Sequence, residues 1–130
     1  MFRLADRFLL GGDLWQIKLV NGNDPILVDR TGTLTLGVTD PVSKCVYISN
    51  QLSRDMMVRV LIHEIGHCAI ISFNLLPDIH RLAKKRYWVE AEEWVCNFIA
   101  DYGLAIFRAA YSTLGLSAWT AIPSKVEEII

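Results

Sequence analysis

The sequence predicts a single α+β domain over residues 1–130, a small twisted β-sheet packed on two long helices. Three observations carry that expectation. Residues 14–49 break into short apolar segments separated by turn-forming pairs, residues 54–76 contain one glycine and no proline, and another largely apolar stretch reaches to about residue 110. With 130 residues, 52% hydrophobic and 21% charged, the chain has enough apolar surface for one core and no room for a second.

In chain order, strands are expected over 14–20, 26–29, 34–38 and 45–49, punctuated by Asn21-Gly22, Thr31-Gly32 and Asp40-Pro41. In the last of these, Cys45, Tyr47 and Ser49 alternate with Val46 and Ile48, the pattern of a strand half buried against a helical layer. Ser53 is positioned to cap one long helix that Pro77 ends. Between Arg59 and Leu76 that helix has no Lys, Arg or Asp, so it is expected in the core. A second long helix, from Ile79 or Leu82 to about Ala110, offers Gly103 as the place for a kink. The tail, 112–130, has turn signals at Gly115 and Pro123, then a mixed last helical turn, and carries no readable chemistry.

Composition removes several function classes. Thirteen Lys and Arg against fourteen Asp and Glu leave a net charge of −1, with no basic run to neutralise phosphates, so no nucleic-acid partner is expected. Mean hydropathy is high at +0.31. Yet ionisable groups interrupt every stretch long enough to span a bilayer, Asp101 and Arg108 in the C-terminal third among them, so no membrane span is expected. The N-terminal residues lack the apolar core of a signal peptide. Cys45, Cys68 and Cys96 are odd in number and show no Cys-x-x-Cys spacing, which suits buried thiols in a reducing cytoplasm.

The chemistry is concentrated in His63-Glu64-Ile65-Gly66-His67. Residues i and i+4 lie one above the other on a helix, so both imidazoles can reach one Zn²⁺ ion while Glu64 stands beside it as general base for the bound water. Met56, Val60, His63, His67 and Ile70 follow a 4-3-4-3 spacing, which puts the histidines on the inward stripe. Burying Glu64 there without a partner would cost roughly 2–7 kcal/mol, and a metal–water site supplies the partner.

A catalytic zinc takes three protein ligands, so a third is expected downstream. The second helix offers Glu90, Glu92 and Glu93. At 100° per residue, Glu90 shares a polar arc with Asn97, Asp101 and Arg108, whereas Glu92 falls among Val89, Cys96, Ile99 and Gly103. Helical phase therefore favours Glu92. Glu93 sits at the boundary, with Asn97 one turn on as a supporting group, and remains open as the ligand. His80, beyond Pro77, is the competing third ligand, and the third histidine of the metzincin pattern is excluded because its place is held by Phe73.

Strands leading into Val60-Leu61-Ile62-His63-Glu64-Ile65-Gly66-His67, followed by a helix with Glu90-Ala91-Glu92-Glu93-Trp94-Val95-Cys96-Asn97, resemble the minimal zincin metallopeptidases of the ImmA/IrrE-like, phage-encoded type, over about residues 37–103. The resemblance implies a zincin-like fold, with His63, His67 and either Glu92 or Glu93 on zinc and Glu64 as base. It also implies a peptide or protein substrate lying as an extended strand along a sheet edge, for which Cys45–Ser49 is the candidate. The expected activity is zinc-dependent peptide-bond hydrolysis. The rival expectation is a metal-binding regulatory or interaction module without peptidase activity.

Overall fold

The computed structural model describes residues 4–122, and its layout follows from one hairpin and one crossover. Strand β1 (Arg7–Leu10) turns through Gly11 and Gly12, both at positive φ, into β2 (Asp13–Val20). Such a two-residue turn matches the twist of the paired strands and calls for residues without a Cβ. β3 (Gly37–Asp40) and β4 (Cys45–Ser49) follow, and the four strands lie in the order β1-β2-β4-β3. β4 runs parallel to β2 and antiparallel to β3. The chain is α+β, a mixed four-stranded sheet with three helices.

β4 is buried on both faces. Val46 and Ile48 meet α1 (Arg54–Ser72) in a core with Trp15, Met57, Val60 and Cys68. The connection carrying the fully buried Leu27 packs against β4 and helps cover the sheet, so the half-buried expectation fails for this strand. The expectation that Cys45–Ser49 forms a sheet edge fails too. β4 is paired on both sides, and the edge beside α1 is β3.

Residues 26–29 are not a strand. Asp24 accepts from the Ile26 amide and Pro25 presets the first turn, so the segment winds into a 3-10 turn, Pro25–Leu27. Its extended continuation makes an isolated bridge, Val28 to Leu34.

Ser53 caps α1 as expected, accepting from the Met56 amide. The helix stops at Ser72, earlier than Pro77 requires. Asn74 adopts φ 54° and the Leu75 amide donates to the Ile70 carbonyl, a C-terminal capping arrangement that reverses the chain. Pro77 then lies in the first turn of α2 (Leu76–Leu82), where its missing N–H costs nothing. The second long helix is thus two, α2 and α3 (Trp88–Leu114), joined through a 3-10 turn at Lys85–Tyr87. α3 runs as one helix through Gly103 and ends at Gly115, from which a 3-10 segment (Gly115–Thr120) sets Trp119 edge-on to Phe107. The turn at Pro123 and the final helical turn lie outside the described residues.

Two close approaches fix the layers. Trp15 Nε1 donates to Ser72 Oγ, which donates to Asp13, tying the hairpin to the end of α1. Gly66 of α1 rides on Cys96 of α3, so near that a Cβ would lie 3.2 Å from Sγ. Among the described residues no single helix is long and apolar enough to cross a membrane. α1 and α2 qualify by length and composition only as a pair bent by 96°.

Candidate metal centre

His63, Glu64 and His67 come from the middle of α1, Glu92 and Glu93 from the first turns of α3, and the Gly66–Cys96 crossing brings the two sets together. The Nε2 atoms of His63 and His67 lie 3.2 Å apart. Glu93 faces both, with one carboxylate oxygen 3.1 Å from His63 Nε2 and the other 3.1 Å from His67 Nε2. One ligand atom from each of His63, His67 and Glu93 falls within 4.8 Å of the others, a group able to hold a metal ion.

Glu92 is inward and buried, as helical phase indicates, but its carboxylate lies behind His67 rather than before it, 2.5 Å from Nδ1. That contact orients the ring and leaves Nε2 facing the cluster. Of the two glutamates that the sequence left open, the α1–α3 crossing thus turns the boundary residue Glu93 toward the Nε2 pair and sets Glu92, which helical phase favours, behind His67. His80 is not at the centre. Its ring stacks on Trp88 at 3.9 Å, and it does not line the cleft. Asn97 lines the cleft near Glu93.

Glu64 is buried at the side of the cluster, 3.8 Å from His63 Nε2, and accepts a 2.8 Å hydrogen bond from Thr39 Oγ1. Burial pushes its carboxyl above the ordinary range, against the pull of His67 and Thr39. Burial works against the charged form of His67, but contacts with Cys96, Glu92 and Glu93 push its pKa up to about 12. Hydrogen bonds from His63 and His67 hold Glu93 well below the usual carboxylate range. Glu92 is also lowered: burial opposes this, but His67 and Arg30 outweigh it. Three carboxylates facing two imidazoles and one guanidinium favour a cation at their centre, either a proton on His67 or a metal ion on the paired Nε2 atoms.

No family model, curated protein or solved structure matches this chain. The donor set itself is two imidazole nitrogens and a carboxylate oxygen, which fits zinc and other borderline divalent ions.

The sequence did not single out two polar residues of this centre. Arg30 reaches in from a tight turn in which Asp29 accepts from Thr31 and Thr33, and it lies 3.2 Å from Glu92 and 3.6 Å from Glu93. Thr39 projects from β3. Neither carries a local signal, since a lone Arg in a turn and a Thr in a strand are ordinary. Gly37 is a third, steric requirement: a Cβ there would lie 2.8 Å from Val60 and 3.2 Å from Glu64. The centre opens into a cleft of about 860 Å³ between β3 and the helices. Its walls include Leu36, Val38, Met56 and Ile71. Burial pushes the Cys68 thiol up to about 12, so it is an inert core group rather than a nucleophile.

Proposed function

We propose that this chain is a zinc-dependent peptidase of minimal zincin type, acting on an extended peptide or protein segment. The observation that carries the reading is the convergence of His63 Nε2, His67 Nε2 and the Glu93 carboxylate beside the buried Glu64. Three protein ligands leave a position open, as catalytic sites require. A divalent ion there supplies Lewis acidity, polarising a carbonyl and acidifying water.

The chain's own residues supply the rest. Glu64, held by Thr39 and raised by burial, takes the proton of the attacking water and delivers it to the leaving amine. Glu92 keeps His67 in the tautomer that presents Nε2, and Arg30 offsets the charge of the two neighbouring glutamates. β3 pairs with β4 alone. The Ser49 amide donates to the Leu36 carbonyl, so the alternation of an antiparallel ladder turns the backbone groups of Gly37 and Thr39 outward. An extended substrate adding to that edge would pass over the metal centre, its side chains against the apolar walls.

The test is digestion of a mixed peptide library by the zinc-loaded chain, with products read by mass spectrometry. Expected is cleavage that stops on chelation, returns with Zn²⁺ and is absent in metal-replete Glu64→Gln. Tight metal binding with no cleavage of any peptide would refute the peptidase and leave the metal-binding regulatory or interaction module.

A further inference from the structure

We infer that two copies of this chain associate through α3, antiparallel across a twofold axis near Phe98. Trp94, Phe98 and Tyr102 recur every fourth residue in a row, Trp94 stacked on Phe98 and Tyr102 tilted against it, with ring centroids 5.4 and 5.7 Å apart. They are 66%, 39% and 57% exposed, a contiguous aromatic stripe that no described element covers. By helical phase the stripe is centred about 140° from Glu93, away from the Nε2 pair.

Charge selects a second copy as the occupant. Glu90 and Arg108 are both exposed, and neither makes an ion pair or hydrogen bond among the described residues. They lie 18 residues apart, which is five turns of 3.6, so they share one flank of the stripe. Their midpoint is residue 99, one residue from the stripe's centre at Phe98. A twofold axis perpendicular to the helices keeps each flank on its own side and reverses the direction along the axis. Glu90 of one copy then meets Arg108 of the other, twice. Trp94 faces Tyr102 of the other copy, and the two Phe98 rings meet at the axis. Ala91 and Ala105, at similar distances from the centre, let the backbones approach. A membrane surface or an unrelated apolar partner would have no use for this arrangement of opposite charges.

The three rings expose together about 350 Å² per copy, somewhat under half of the ~800 Å² per partner in a stable interface. With the flanking residues added, the area suits a dimer that dissociates at about micromolar concentration.

Sedimentation velocity of the full chain over a dilution series tests this. The wild type is expected to shift from dimer to monomer through the micromolar range, and Trp94→Lys to stay monomeric. Glu90→Arg and Arg108→Glu are each expected to weaken the dimer about tenfold or more, since each places two like-charge contacts in the interface, and the double variant to restore it. Both charged positions are exposed, so folding is not at stake. A wild type that stays monomeric at 100 times the micromolar range would overturn the inference. So would single and double charge variants of equal affinity, or a monomer that floats with phosphatidylcholine vesicles through the same stripe.

Discussion

Exchanging Glu92 and Glu93 separately for Gln distinguishes a ligand from the group that aims one. Glu93 contributes a carboxylate facing both Nε2 atoms at 3.1 Å, and the amide keeps its volume while removing its charge. Removing one partner from a buried charge pair costs about 3–5 kcal/mol; the Glu93 side chain is 41% exposed, so solvent screening trims this to about 2–4 kcal/mol, or roughly one and a half to three decades in metal affinity at 1.4 kcal/mol per decade. Glu92 acts through the 2.5 Å contact with His67 Nδ1, which the Gln oxygen can still accept. The charge-assisted part of that hydrogen bond is lost, about 1–2 kcal/mol or roughly 5- to 30-fold, along with the charge pairing to the half-exposed Arg30, which adds little. The assay is competition for Zn²⁺ against a chromogenic chelator at fixed pH, with circular dichroism to establish folding. Glu93→Gln should fall far below Glu92→Gln. The reverse order would mean that Glu92 is the ligand and that α3 sits rotated by about one residue relative to α1.

Gly66→Val should unfold the chain or strip its metal, because Cys96 Sγ stands 3.2 Å and its Cα and Cβ 3.4 Å from the added Cβ. Gly66→Ala sets about 1 kcal/mol of helix propensity and the burial of a methyl against an overpacking cost of about 1–3 kcal/mol, and should weaken metal binding at nearly unchanged stability. Chelator titration and thermal melts check both, and wild-type metal affinity in Gly66→Val would show that the helix approach does not matter. Glu64 has a folded-state pKa above its ordinary 4.5, so its burial penalises folding increasingly as pH rises past that value. In chelator-treated protein, Glu64→Gln should therefore raise Tm at pH 8 and change it little at pH 4; no gain at pH 8 would refute the burial argument. His80→Ala should leave zinc stoichiometry by elemental analysis at the wild-type value, since that ring is engaged with Trp88; loss of metal would move the centre toward α2.

The sequence determined what depends on spacing along the chain. The i, i+4 geometry of His63 and His67, the Ser53 cap and the strand Cys45–Ser49 are local consequences of backbone periodicity, and each stands at its expected residues. The inward position of Glu92 is legible for the same reason, since its arc holds Cys96 and Gly103. The early end of α1 was less legible: an asparagine at positive φ capped the helix before the proline could. Tertiary structure decided the rest. A helical wheel gives the phase of each residue but not the direction from which a neighbour approaches, and the Gly66–Cys96 crossing set that direction, turning Glu93 to the Nε2 pair and Glu92 to Nδ1. Strand order is likewise non-local. The parallel pairing of β2 with β4 moved the edge to β3, bringing Thr39 to Glu64 and leaving Gly37 no room for a side chain. Arg30 reaches its partners across more than 60 positions of sequence, a distance over which no periodicity carries information.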